Sequence, residues 1–241
     1  MTATVHEVAS PEPNATLTRA LRLGLAAVYL LLAHLASDRH DQVLAACALG
    51  AIVVLVLLRP LLLRRLRAWS LLLVLGVVAV ALARAGYALL PLLLVPAAII
   101  AVVGYAFART LRTVPLITRM VVGLDATPVA DLSPELLRYT RTLTQAWAAL
   151  LGALALLNLT FALLSVPDGV LASVGVTPPL PIDQAHWSWF AGPFNLGVMV
   201  GFFLIEFTIR QRRFPGRYAS LFDFMRRMAQ LGPAFWRDVA H

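Results

Sequence analysis

The chain contains no lysine, a single cysteine and few charges of either sign. All 20 basic residues are arginine, against 12 acidic ones, and only 13% of the 241 residues are charged while 60% are apolar. Soluble domains run at about 45–50% apolar and about 25% charged, so a soluble fold of this composition could not cover its own surface. Cys47, alone and inside an apolar run, excludes an intrachain disulfide and any CxxC or Cys/His zinc pattern; it reads as a small apolar side chain. There is also no Gly-rich phosphate loop, no G-x-S-x-G and no H-E-x-x-H, which removes the standard signatures of NTPases, α/β-hydrolases and zinc proteases. The exclusive use of arginine reads as the codon bias of a GC-rich bacterial genome.

What remains is a polytopic membrane protein. A span needs about 20 mostly apolar residues, and six stretches meet or approach this: 21–37, 43–63, 68–83, 88–108, 143–165 and 188–208. The formal charge of +8 is no nucleic-acid footprint, because the arginines gather at the ends of apolar runs and form no continuous stripe. With the N-terminus in the cytoplasm, 18 of the 20 arginines fall on the inner side and only Arg39 and Arg84 outside, a positive-inside pattern that an odd number of spans would scramble. The expected fold is therefore all-α, with six transmembrane helices, both termini cytoplasmic and short interfacial amphipathic helices. Residues 1–18 read as a disordered leader, 19–208 as the membrane domain and 209–241 as a basic amphipathic tail. The first run lacks an A-x-A cleavage site and reads as a retained span. "RAGY", 84–87, is a tight reversal with Gly86 supplying a permissive backbone. No internal repeat of the kind found in inverted-repeat transporters is evident.

The cytoplasmic segment 109–142 begins "RTLRTVPLIT". Leu111, Val114, Leu116, Ile117 and Val121 are apolar, and Arg109, Arg112 and Arg119 can reach lipid phosphates, which predicts an interfacial helix. "LSPE" then restarts a helix, with Ser133 as N-cap, Pro134 in the first turn and Glu135 at the positive end of the dipole. This helix is expected to run on into the fifth span. In the tail, Tyr218, Leu221, Phe222, Met225 and Met228 recur at helical spacing beside Arg226 and Arg227, as in a helix on an anionic leaflet or one docked on a partner protein.

Three constellations bear on chemistry. In "RYTRTLTQAW" and beyond, Thr140, Thr144, Trp147 and Asn158 share one helix face at 100° per residue, with Arg141 beside it. Asn158 falls inside the bilayer, where an amide needs a protein partner or water. This stripe reads either as a headgroup or acyl-chain cleft, or as helix–helix packing with Arg138 and Arg141 reaching to phosphates. In "IEFTIRQRR", Glu206 is the one carboxylate inside an apolar run and precedes Arg210 by four residues, the favourable order for an ion pair; it is either a structural salt bridge or a proton- or substrate-binding group. On the outer side, His34, Asp38, His40 and Asp41, with Asp168, Asp183 and His186, follow no fixed metal motif, and no metal or cofactor is expected. Trp187 and Trp189 read as an interfacial belt.

"RTLRTVPLIT", "SPELLRYTRTLTQAW" and "FFLIEFTIRQRRF" together resemble a family of bacterial inner-membrane proteins whose genes sit among the acyl-carrier-protein, ketosynthase and dehydratase genes of aryl-polyene, xanthomonadin-like, pigment clusters. The resemblance rests on Arg109 to Thr118, on Tyr139, Arg141, Thr144 and Trp147, and on Glu206, Phe207 and Arg210, and covers about the C-terminal 60% of the chain. The first three spans match only in hydropathy. Val114 stands where relatives often carry a charge. The ketosynthase label that some members bear finds no support, since Cys47 lies in a span. The resemblance implies a pathway context: an accessory inner-membrane protein, Gram-negative in setting by family, that binds or presents a lipid-linked acyl product or anchors carrier-protein enzymes. A small lipid or polyene transporter using Glu206, or an acyl-transfer enzyme using Tyr139 or Thr144, are the other readings. Candidate ligand residues are Tyr139, Arg141, Thr144, Trp147, Asn158, Glu206 and Arg210; Arg109, Arg112, Arg119, Arg138, Arg226 and Arg227 are candidate phosphate anchors. A lipid-shaped cavity between the fifth and sixth spans would favour a ligand site there, and a packed contact would favour a scaffold.

Overall fold

The computed structural model describes residues 15–125, 127–167, 169–183 and 190–214, with Phe222, Met225 and Arg226 of the tail. The leader to residue 14, Asp168, His186, Trp187, Trp189 and most of the tail, Arg227 included, lie outside the described residues. The protein is all-α. In chain order its helices are α1 (Ala15–Arg39), α2 (Gln42–Leu62), α3 (Leu66–Arg84), α4 (Leu89–Thr110), α5 (Leu116–Asp125), α6 (Pro134–Leu164), the single turn α7 (Val170–Ser173) and α8 (Asn195–Arg213). Among the described residues six are long and apolar enough to cross a membrane: α1, α2, α3, α4, α6 and α8, the last extended back to Gly192 by a π-helical turn, Phe190–Phe194. This is a multi-pass membrane protein. A two-stranded parallel ladder, β1 (Ser165–Val166) with β2 (Ile182–Asp183), ties the segment after α6 back on itself.

The chain divides into two compact units within α4, after Leu93. In the first, Ala36, Ala45, Ala48 and Ala88 are fully buried with Leu92. Small side chains let helix backbones approach closely, which is how helices associate where lipid tails remove the hydrophobic drive. The turns are held by local chemistry. Asp41, in extended backbone before α2, accepts from the N–H groups of Val43 at 2.7 Å and Leu44 at 3.1 Å, satisfying donors that a helix start leaves open. The Gln42 side chain accepts from Ala88 N at 2.8 Å and so links the start of α2 to the start of α4. Gly86 takes φ +80° in the reversal, a conformation that L side chains resist. The Arg59–Pro60 pair does not end α2, which runs through Pro60 to Leu62.

In the second unit, α6 is the central element. Ser133 caps it by accepting from Leu136 N at 3.3 Å, and Pro134 occupies the first turn. Its 31 residues span about 46 Å at ~1.5 Å per residue, longer than a hydrocarbon core of about 30 Å. The polar stretch 134–142, with Glu135, Arg138 and Arg141, therefore extends beyond the hydrocarbon. Gly104 of α4 lies against α6: a Cβ built there would sit 3.1 Å from Leu151 Cβ, so an added side chain would crowd this approach.

Within the segment 109–142, the short amphipathic helix is α5, which begins only at Leu116. Arg109 and Thr110 finish α4, the chain turns over residues 111–115, and α5 starts at Leu116. Proline disfavours helical backbone in the residue before it, which breaks the helix at Val114–Pro115. The sixth span also sits later than expected. Its α-helix continues past residue 208 to Arg213, because arginines at a helix end can extend their charges into the interface without leaving helical geometry.

Replacing Asp41 with alanine removes the cap of α2 and is expected to destabilise the detergent-solubilised protein by about 0.5–2 kcal/mol, with Asp41→Asn nearly neutral. Denaturant unfolding followed by circular dichroism measures this.

Candidate functional site

The sequence-derived candidates of the second unit lie along the contact of α6 with α8 and α5. At the arginine-bearing end, the Tyr139 hydroxyl donates to Glu206 Oε1 at 3.0 Å. Arg210 Nε donates to the same oxygen at 2.8 Å, and a terminal nitrogen of Arg210 pairs with Oε2. Glu206 is 5% exposed. Both carboxylate oxygens are engaged, Oε1 by two donors and Oε2 by one. Aromatic rings close over the cluster: Phe214 meets Tyr139 edge-on at 5.3 Å, and the Arg210 guanidinium lies 6.0 Å from the Phe207 centroid. Outside it, Arg213 Nε donates to Glu135 Oε1 at 3.0 Å and its guanidinium sits 5.8 Å from the Tyr139 ring. That pair is more than half exposed and contributes little by itself.

Deeper along α6, Trp147 lies between Phe107 of α4, at 6.0 Å, and Phe202 of α8, at 4.8 Å and nearly perpendicular. Edge-to-face pairs of this kind contribute about 0.5–1.5 kcal/mol beyond area. Leu151, Leu154 and Ala155 are buried in the same layer with Ile100. Deeper again, Asn158 and Asn195 exchange amide hydrogen bonds. Asn158 Nδ2 donates to Asn195 Oδ1 at 3.2 Å, Asn195 Nδ2 donates to Asn158 Oδ1 at 3.0 Å, and Asn158 Nδ2 also donates to Leu154 O at 2.7 Å. Each amide is at most 2% exposed. In hydrocarbon an unpaired amide costs several kcal/mol, and reciprocal pairing removes that cost from both helices at once.

The threonines of the stripe face α5. Thr140 and Thr118 share a hydrogen bond of 2.7 Å, and the Thr144 hydroxyl donates to Thr140 O at 2.7 Å while accepting from Ile117 N at 3.3 Å. Leu116 N donates to Thr110 Oγ1 at 3.0 Å. Two of the open N–H groups at the start of α5 are thus met by threonines of α4 and α6, and Thr118, Thr140 and Thr144 are at most 1% exposed. This stripe is a docking surface for α5, closed to solvent and lipid.

The seven candidate ligand residues therefore do not surround one cavity. Tyr139, Glu206 and Arg210 form one cluster; Trp147 and Asn158 pack against α8 at separate levels; Thr144 lies under α5. Arg141 points elsewhere, into a cleft of about 280 Å³ that it lines with Arg138, Thr113, Val114 and Leu137. A second cleft of about 340 Å³ is lined by Glu135, Arg138, Tyr139, Thr142 and Arg213. Among the candidate anchors, Arg119 is committed internally: Nε donates to Val114 O at 3.1 Å and a terminal nitrogen to Thr113 Oγ1 at 3.2 Å. Arg112, Arg138, Arg141 and Arg226 are exposed. Among the described residues no three His, Cys, Asp or Glu side chains gather in one place. Sequence reasoning missed the roles of Thr110 and Thr118. Their signal was present as hydroxyls flanking Pro115, but which helix face they meet is a tertiary fact.

Asn158→Leu is expected to destabilise the protein by about 0.5–2 kcal/mol, because Asn195 loses both of its hydrogen bonds to Asn158. The double variant N158L/N195L should recover most of that loss in a double-mutant cycle, read from unfolding in micelles. Comparison of the chain with protein-family models, with curated proteins and with solved structures finds no match.

Proposed function

We propose that this multi-pass membrane protein is a non-catalytic accessory protein of a bacterial inner membrane, with both termini cytoplasmic, serving aryl-polyene or related fatty-acid-like lipid biosynthesis. It presents a lipid-linked acyl product or anchors the carrier-protein enzymes that make it. The observation that supports a scaffold is the closed contact between α6 and α8. Tyr139, Glu206 and Arg210 satisfy one another, Trp147 is packed between two phenylalanines, and Asn158 pairs with Asn195. The polar groups at these levels that an enzyme or transporter would use are already engaged with one another. The chemistry offered outward is arginine: an end rich in uncompensated guanidinium groups suits phospholipid headgroups, phosphopantetheine and the acidic surfaces of carrier proteins. The pathway context rests on the resemblance carried by "RYTRTLTQAW" and "IEFTIRQRR".

Deletion of the gene in a pigment-forming host should lower the lipid-linked polyene or leave it unlinked, measured by mass spectrometry of extracted pigment; normal pigment of normal composition would reject the proposal. The transport reading makes the opposite claim about Glu206. In proteoliposomes, wild type and Glu206→Gln are expected to show the same protein-independent leak of a polyene lipid, and flux abolished by Glu206→Gln would replace the scaffold with a transporter.

A further inference from the structure

On the outward side of the α5–α6 contact lies the cleft of about 280 Å³. Its floor is apolar, formed by Val114 and Pro115 of the turn before α5 and by Leu137 of α6. Its polar groups are Thr113, Arg138 and Arg141, with the buried Thr118, whose hydroxyl is bonded to Thr140. Arg138 and Arg141 are three residues apart on α6 and so emerge on one side of the helix. Both are exposed, and neither makes a hydrogen bond or ion pair among the described residues. Arg119 is different, because its bonds to Val114 O and Thr113 Oγ1 hold the turn that shapes the cleft wall.

The neighbouring cleft is the internal comparison. It shares Arg138, but Glu135 lines it and is bonded there to Arg213, so one of its two guanidinium groups is paired with a carboxylate. No carboxylate is among the residues that line the first cleft. Two uncompensated guanidinium groups above an apolar floor attract an anion that carries hydrocarbon. The depth agrees, since the stretch of α6 that holds Arg138 and Arg141 is the part extending beyond the hydrocarbon core. A free phosphate ion would use the arginines but leave Val114, Pro115 and Leu137 uncovered. A zwitterionic headgroup would bring a cation into a cleft with no acid to meet it.

We infer that this cleft binds the phosphate of one anionic phospholipid, with Arg138 and Arg141 donating paired N–H groups to its oxygens and the adjoining glycerol and acyl carbons covering Val114, Pro115 and Leu137. Planar guanidinium forks suit phosphate oxygens, whereas an ammonium acts as a point charge. The inference is independent of the pathway context and of the scaffold reading, since it uses only this cleft and the position of α6.

The test is native mass spectrometry of the delipidated full chain in detergent, titrated with phosphatidylglycerol, phosphatidylcholine or glycerol phosphate. Wild type is expected to bind a first phosphatidylglycerol about tenfold or more tightly than phosphatidylcholine, and R138Q/R141Q should lose that preference by about the same factor. R39Q/R84Q, which removes the same net charge elsewhere, should retain it. R138K/R141K keeps both charges while removing the forks, provides a second reading if the glutamine variant folds poorly, and should bind more weakly than wild type. Equal binding of the two lipids, equal losses in R138Q/R141Q and R39Q/R84Q, or wild-type binding by R138K/R141K would overturn the inference. Displacement of the lipid by glycerol phosphate at equal concentration would overturn the part played by the apolar floor.

Discussion

A polar group inside a bilayer has no water to fall back on, and the second unit is organised around that constraint. Asn158 sits roughly 22 Å along α6 from Leu143 at the helical rise, well within the hydrocarbon. Its amide can be tolerated there because Asn195 presents the complementary donor and acceptor on α8. The pair does more than cancel a cost. Apolar contact between helices does not choose one register over another, since lipid tails match leucine as neighbours. A reciprocal amide pair is satisfied in one alignment only, and it sets which residues of α8 face α6. With the alignment set at that level, Phe202 meets Trp147 and Glu206 meets Tyr139.

The same constraint divides the arginines into two kinds. Arg119, Arg210 and Arg213 have partners in the fold: a backbone carbonyl and a threonine hydroxyl, the Glu206 carboxylate, and Glu135. These hold elements in place. Arg138 and Arg141 have no such partner among the described residues, although they stand on the same helix as Glu135, whose carboxylate goes to Arg213. A formal charge of +8 is therefore a poor guide to which cations are available to a ligand. Glu206 illustrates the converse. Isolated in the sequence among apolar residues it resembles a coupling group, but with Arg210 one turn away and Tyr139 opposite it becomes part of the wall.

Much of the fold could be read from residue order because helix spans, caps and reversals are local. Ser133–Pro134, Asp41 and Gly86 act through backbone geometry within a few residues of themselves, and apolar run lengths identify helices that cross a membrane. The ends of the helices were less legible, since the boundary of a span set by hydropathy is not the boundary of the helix. Arg210, Arg212 and Arg213 end the apolar run while continuing α8. Pro115 is the clearest local signal of the break: it divides a segment whose apolar spacing alone does not mark where one helix ends and the next begins. The site was less legible still. Nothing in "FNLG" names Asn158 as the partner of Asn195.

The threonine stripe shows why spacing alone left the site undecided. Thr140 and Thr144 on one face of α6 describe equally well the wall of a headgroup cleft and the seat of another helix. What decides between them is whether a nearby segment brings unsatisfied donors to that face. The first turn of α5 does, because Pro115 has interrupted the helix before it and left the N–H groups of Leu116 and Ile117 without intrahelical acceptors. Thr110 and Thr144 accept from them, and Thr118 completes the contact through Thr140. The break before α5 is thus the same feature that closed the stripe. With the inner faces of α6 turned to α5 and α8, Arg138 and Arg141 stand exposed beside the turn that the break created.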